Sequence, residues 1–179
     1  MRSHLKNSWV FLFFLVSFVS FAGPSHIATV HKARENWASV EEGIFYRSQK
    51  LTSNQLLSRI RQHQIKSILC LAECTEEEQG LALELGVKYY NRSMNIPEIE
   101  LSDLNGIIQI LKDAPKPLLV HCRKGADRTG MAVALYFYAI KEQDLKTSMK
   151  KGLRLRYGHL GKMWTPRIYE VLQEFESQN

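Results

Sequence analysis

Cysteine is scarce in this chain of 179 residues: there are three, Cys70, Cys74 and Cys122. So few, and an odd number, exclude a disulfide-stapled scaffold. At most one bridge can form within the chain, and at least one thiol is left free or redox-active. Internal repeats, low-complexity runs and a basic tail of the kind that wraps nucleic acid are also lacking, so no nucleic-acid partner is expected. No apolar run reaches the roughly 20 residues that a membrane-spanning helix needs. There is enough apolar material, 45% of residues, for one core, and too little chain for two ordinary domains. The formal net charge of +6 is mildly basic, which suits an anionic substrate or an anionic membrane surface but also many ordinary enzymes.

What the N-terminus does hold is Arg2 and Lys6, then the uncharged run Trp9–Ala22 (WVFLFFLVSFVSFA), then Gly23-Pro24. Basic residues, a short apolar stretch and the small residues Ser20 and Ala22 read as a signal peptide over residues 1–22, cut after Ala22. The dense Phe and Leu leave an uncleaved N-terminal anchor as the alternative. Either way the remainder, residues 23–179, is expected as a single exported domain, periplasmic or secreted, acting as a monomer.

Along that remainder strands and helices alternate. Gly43–Ser48 reads as a strand, and Thr52-Ser-Asn-Gln55 is a capping box opening a helix to about Gln62. Ile65–Leu71 is a buried strand, and a second capping box, Thr75–Glu78, opens a helix that stops at Gly86. Val87–Arg92 is a strand, 95–101 a loop with Pro97, and Leu101, Leu104, Ile107, Ile108 and Leu111 recur at helical spacing. Pro117–His121 is a short apolar strand, and Gly130–Ile140, apolar on every face, is expected to be the central buried helix. Two further helices are expected at about 144–157 and 166–176. The pattern predicts an α/β fold with a mostly parallel central sheet flanked by helices and a helical C-terminal third.

The chemistry concentrates in His121-Cys-Arg-Lys-Gly-Ala-Asp-Arg-Thr-Gly130, between the buried strand and the buried helix. A loop ending at a helix start aims several backbone N–H groups at one point, and the helix dipole adds to them, which makes a site for a phosphate dianion. Arg123, Lys124, Gly125, Ala126, Asp127 and Arg128 would line it. Cys122 stands at its mouth, where the same N–H groups favour the nucleophilic thiolate. Arg128 can hold two phosphate oxygens with its planar fork, as lysine cannot. Gly125 permits a tight turn, Thr129 is expected to hydrogen-bond the cysteine sulfur, and His121 to support the loop.

The run C-x5-R-T-G after a strand ending in His resembles the signature of the cysteine-dependent protein tyrosine and dual-specificity phosphatase superfamily, and Tyr46-Arg-Ser48 resembles the start of its compact domain. With the export signal, the chain is similar to secreted or periplasmic bacterial members. The resemblance implies a phosphomonoester hydrolase working through a phosphocysteine on Cys122, with no metal and no cofactor. Its substrate would be a phosphoprotein carrying phosphotyrosine, with possible dual specificity, or an anionic phospholipid or inositol phosphate. The family usually places an acid 25–35 residues before the cysteine. Just past that window stand Glu98, in the better loop position, Glu100, and Asp103, whose place just inside a helix suits an N-terminal carboxylate. Some relatives use an aspartate inside the signature, which here is Asp127.

Other readings stay open. Because the standard acid is missing, a catalytically silent phosphate-binding module competes with the enzyme. Cys70 or Cys74 could form a reversible bridge with Cys122, or Cys70 could be plain core. Lys146, Lys150, Lys151, Arg154 and Arg156 are expected on one basic helix running towards His159, either a solvated face or a wall for polyanions.

Overall fold

The computed structural model describes residues 35–178. The segment expected to be a signal peptide or anchor, residues 1–22, lies outside them. Three strands inferred from the sequence, β2 (Phe45–Gln49), β3 (Ser67–Cys70) and β5 (Leu118–Cys122), line up in parallel, joined by β4 (Lys88–Asn91) beside β3. A strand the sequence did not announce, β1 (Ala38–Glu41), pairs antiparallel with β2, so the five-stranded order is β1-β2-β5-β3-β4.

The helices follow from their caps. Helix α1 (Ser53–His63) opens on the Thr52–Gln55 box, and α2 (Glu76–Glu84) on the Thr75 hydroxyl, which accepts from the Glu78 N–H. Helix α3 (Leu101–Asp113) carries Asp103 at its third position, where its carboxylate accepts from the Glu100 N–H, a capping role as expected. Helix α4 (Asp127–Leu135) starts three residues earlier than the apolar pattern indicated, and passes into a π-type turn at Tyr136–Ile140. Every residue from Thr129 to Tyr136 is buried, which accords with its expected central place. Helix α6 (Pro166–Ser177) closes the fold.

Helix α5 (Leu145–Gly152) is shorter than the expected 144–157, and a separate 3-10 turn follows at Leu155–Tyr157. The reason lies at Gly152. A Cβ there would stand 2.2 Å from the Gly130 carbonyl oxygen, so α4 and α5 meet backbone to backbone. The Gly152 carbonyl is taken by the Arg47 guanidinium at 2.9 Å, and the chain leaves the helix. Arg154 and Arg156 therefore lie on a separate segment from Lys146, Lys150 and Lys151.

Strand alternation divides the core into two clusters. Phe45, Leu69, Leu118, Val120 and Cys122 pack with α3, α4 and α6. Tyr46, Ile68 and Leu119 pack with Leu56 and Ile60 of α1 and Ala82 of α2. Side chains such as Ile68 and Leu118 are fully buried, each contributing about 1.5–3 kcal/mol of apolar transfer. The alternation also sends Cys122 and His121, neighbours in sequence, to opposite faces, and it corrects one expectation. Cys70 sits in register with His121 and shares a face with Ile68, so its sulfur points away from Cys122. It is bonded instead to Cys74 at a Cα–Cα distance of 5.8 Å, and Cys122 is the free thiol.

Candidate active site

The parallel strands β2, β5 and β3 end together at Gln49, Cys122 and Cys70, and the loop Arg123–Ala126 crosses this carboxyl edge, where α/β sheets place their ligand sites. Its three successive carbonyls are pinned from outside. The Arg123 oxygen accepts from the Lys50 backbone N–H at 3.3 Å, the Lys124 oxygen from Asn36 Nδ2 at 2.7 Å, and the Gly125 oxygen from Arg47 Nη2 at 2.7 Å. Fixing the carbonyls outward turns the peptide N–H groups of the same units inward, so the loop is a preformed nest of donors. Helix α4 continues the nest. Its N-terminus has no side-chain cap, unlike α1, α2 and α5, so its first N–H groups stay open to an anion.

Gly125 is demanded twice over. Its φ is +67°, and a Cβ would sit 2.6 Å from the Gln49 nitrogen and the Ser48 oxygen, both backbone atoms of β2. Gly125→Ala is expected to cost about 2 kcal/mol or more of stability, read as a fall in the denaturant midpoint, and to lower phosphate affinity with it.

Arg47 is the residue beneath the loop that sequence reading missed, since it was noted only within the Tyr46–Ser48 resemblance. It is buried, spans the Gly125 and Gly152 carbonyls, and lies 3.7 Å from the Tyr157 ring centroid. Burial brings its pKa down to about 10, against the pull of Tyr157 and Cys122, so it remains a cation at neutral pH.

Cys122 is buried at the end of β5. Arg128 donates from Nη1 to the Met94 carbonyl at 2.7 Å, while its Nε is buried with no hydrogen-bond partner. One edge of the fork is thus fixed by protein and a donor is left over, which a phosphate oxygen would satisfy. Thr129 is buried in the first turn of α4, and its hydroxyl makes no hydrogen bond, so the expected bond to the Cys122 sulfur is not formed. Lys124 is exposed, Ala126 buried, and Arg123 Nη1 meets Glu73 Oε1 at 3.3 Å, both groups half in solvent.

Of the two candidate acids, Glu98 is exposed in the 3-10 turn Ile96–Glu98, accepting from Asn95 Nδ2 at 3.2 Å. Asp127 opens α4 inside the loop motif. Its Oδ1 accepts from Nδ1 of buried His159 at 2.7 Å, and the Tyr169 hydroxyl meets His159 Nε2 at 2.9 Å. Burial, and the Asp127 charge after it, raise the Tyr169 pKa, which keeps that hydroxyl protonated as the donor to Nε2. The Asp127–His159–Tyr169 chain crosses 32 residues and then 10, and no local spacing signals it.

On the opposite face, His121 Nε2 lies 2.9 Å from Glu78 Oε1, and Glu78 Oε2 accepts from the Tyr89 hydroxyl at 2.9 Å. Burial alone would raise the Glu78 pKa, but His121 and Tyr89 hold it below the usual carboxylate value. His121 thus meets α2 at the strand end and lies on the face opposite Cys122. Cys70, Glu78 and His121 have metal-ligand atoms within 4.8 Å of one another, yet the Cys70 sulfur is spent in its bond to Cys74.

No curated protein matches this chain. Among solved structures, TpbA of P. aeruginosa is similar with a TM-score of 0.66 and 16% identity, over 78% of this chain and 84% of that one. The core catalytic domain of the PP-IP phosphatase SIW14 of S. cerevisiae follows at 0.63 and 23%, over 82% and 93%. PTPMT1 gives 0.63 and 15%, over 79% and 94%. At such identities these likenesses establish the fold, a compact dual-specificity-phosphatase-like domain. The family model described as polymorphic toxin system, DSP-PTPase phosphatase matches residues 43–141, more than half of the chain and all of the loop described above. Matched over that span, the chain belongs to this DSP-PTPase phosphatase family and is a cysteine-dependent phosphatase of the tyrosine and dual-specificity superfamily.

Proposed function

We propose that the chain removes phosphate from phosphotyrosine in proteins, by attack of Cys122, with Asp127 as the proton donor and acceptor. The observation that carries this is the outward pinning of the Arg123, Lys124 and Gly125 carbonyls, which turns the N–H groups of the same peptide units to the inner side of the loop that follows Cys122. In the first step the thiolate attacks phosphorus, the ester P–O bond breaks, and Asp127 gives its proton to the departing oxygen. Arg128 and the loop N–H groups hold the three non-bridging oxygens, whose charge they meet without reorganising. In the second, Asp127 takes a proton from water as the water oxygen attacks phosphorus, and the S–P bond breaks to return the Cys122 thiolate.

The choice of Asp127 over Glu98 rests on position: Asp127 lies within the loop and is held by His159, whereas Glu98 is exposed and engaged with Asn95. Phenyl phosphate, whose leaving group needs a proton, and p-nitrophenyl phosphate, whose leaving group hardly does, separate the two. Asp127→Asn is expected to lose about a hundredfold on the former and far less on the latter, with Glu98→Gln unaffected on both. The reverse pattern would move the acid to Glu98.

TpbA has been captured with pTyr, which supports the phosphotyrosine reading. A second reading has its own support: SIW14 is a PP-IP phosphatase, PTPMT1 has been captured with PI(5)P, and Arg123 and Lys124 add cationic groups to the loop. Comparing kcat/KM on phosphotyrosyl peptides with that on phosphoinositides and inositol phosphates decides between them. A periplasmic or secreted location, directed by residues 1–22, belongs to the same proposal, and fractionation of the expressed full chain tests it.

A further inference from the structure

Five large apolar side chains stand exposed among the described residues, and four of them fall within ten residues: Leu155 (75%), Leu160 (60%), Met163 (88%) and Trp164 (70%). Single exposed apolar residues are ordinary, but such a concentration marks an interaction surface.

The exposure does not come from a loose segment. Tyr157 and His159 are buried between the exposed ones, and Thr165 directly after them. Tyr157 lies under Arg47, His159 is held by Asp127 and Tyr169, and the backbone closes on itself through Gly158 N–H to Leu155 O at 2.8 Å and Trp164 N–H to Gly161 O at 3.1 Å. Buried anchors thus fix a segment whose remaining side chains face solvent.

Charge identifies the partner. Between Asp144 and Glu170 the chain has no carboxylate and seven basic residues: Lys146, Lys150, Lys151, Arg154, Arg156, Lys162 and Arg167. Arg154, Arg156 and Lys162 are exposed and interleave with the apolar four. A protein interface would ordinarily concentrate its charge at a rim around an apolar centre. Apolar residues with a tryptophan, alternating with cations and free of anions, fit instead the headgroup boundary of an anionic bilayer, where indole and methylene groups enter the interface and the cations meet lipid phosphates.

We infer that residues 154–164 form a docking surface for an anionic lipid bilayer, beside the catalytic loop. Adjacency is direct: Asn36 Nδ2 bridges the Lys124 carbonyl at 2.7 Å and the Tyr157 carbonyl at 3.1 Å, and His159 holds Asp127. Docking would bring the catalytic mouth to the membrane plane, whether the phosphate is carried by a lipid or by a protein at the surface. The inference stands apart from the choice of substrate.

Because Trp9–Ala22 could enter a bilayer by itself, the readout has to be local to the segment. The full chain and its Trp164→Phe variant are mixed with vesicles of bromine-labelled phosphatidylcholine, with and without phosphatidylglycerol, and the difference in fluorescence reports Trp164 alone. The expected result is loss of most Trp164 emission, with a shift to shorter wavelength, on phosphatidylglycerol vesicles and little change on phosphatidylcholine. A Leu160→Ser/Met163→Ser double variant, with turnover of p-nitrophenyl phosphate unchanged, is expected to bring Trp164 to the bilayer about tenfold less tightly. Unquenched Trp164, or equal quenching on both kinds of vesicle, would overturn the inference. Self-association in sedimentation velocity that shields Trp164 and disappears in the double variant would also overturn it, assigning the surface to a second copy.

Discussion

Cys122→Ser is expected to reduce turnover of p-nitrophenyl phosphate at least about a thousandfold, in reducing buffer and without added metal, while leaving phosphate or vanadate binding intact. The serine keeps the size of the side chain, so the loop persists: its carbonyls are still held by Lys50, Asn36 and Arg47. What is lost is the sulfur nucleophile. A serine hydroxyl is a far weaker acid than a thiol, and its alkoxide is the poorer leaving group when the intermediate hydrolyses. Binding without turnover in the variant is therefore the signature of a site whose electrostatics survive and whose chemistry does not. Since Cys70 and Cys74 are bonded to each other, iodoacetamide should modify Cys122 alone among the cysteines, and vanadate should protect it. A wild-type chain that binds vanadate and fails to turn over would give the silent phosphate-binding module the better claim. A Cys122→Ser variant of undiminished rate would remove the cysteine from the mechanism.

Arg128→Lys is expected to cost about 10²–10³ in kcat/KM, although the charge is conserved. The guanidinium does two jobs that an ammonium cannot combine. Nη1 is committed to the Met94 carbonyl, which fixes the plane of the fork, and buried Nε stays unpaired for phosphate. A lysine ammonium is a single point of charge on a flexible stem. If it takes the Met94 carbonyl it draws away from the anion, and if it turns to the anion the carbonyl loses its partner. The loss should appear in both kcat and KM, because oxygens held in the ground state are held more tightly as charge builds in the transition state. A change in KM alone would mean that Arg128 only binds.

Much of this architecture is local and could be read in advance. The Thr52–Gln55 and Thr75–Glu78 caps are four-residue patterns, and both open helices where expected. Cys122, Gly125, Asp127 and Arg128 fall within seven residues between an apolar strand and an apolar helix, so their convergence needs only a strand–loop–helix turn. Failures began where a residue's meaning depended on a distant one. The helix expected to run to 157 stops at Gly152 because α4 and Arg47 meet it there, and propensity in its own sequence contains neither. In the structure the bridge considered between Cys122 and Cys70 or Cys74 is replaced by one between Cys70 and Cys74, and for Cys70 the reason is parity. Neighbouring strands were correctly inferred, but only the register shows that Cys70 shares its face with His121 and not with Cys122.

Local sequence, then, set the α/β class and the loop that carries Cys122 and Arg128, because strand and helix periodicity and the spacing between those two residues act over a few positions. Tertiary structure alone decided what holds that loop and what surrounds it. Arg47 reaches Gly125 across 78 positions and Gly152 across 105, His159 reaches Asp127 across 32, and residues 154–164 turn their apolar side chains outward beside the catalytic loop. Such pairings are set by strand register and by which backbones can approach closely, quantities that exist only once the chain has packed.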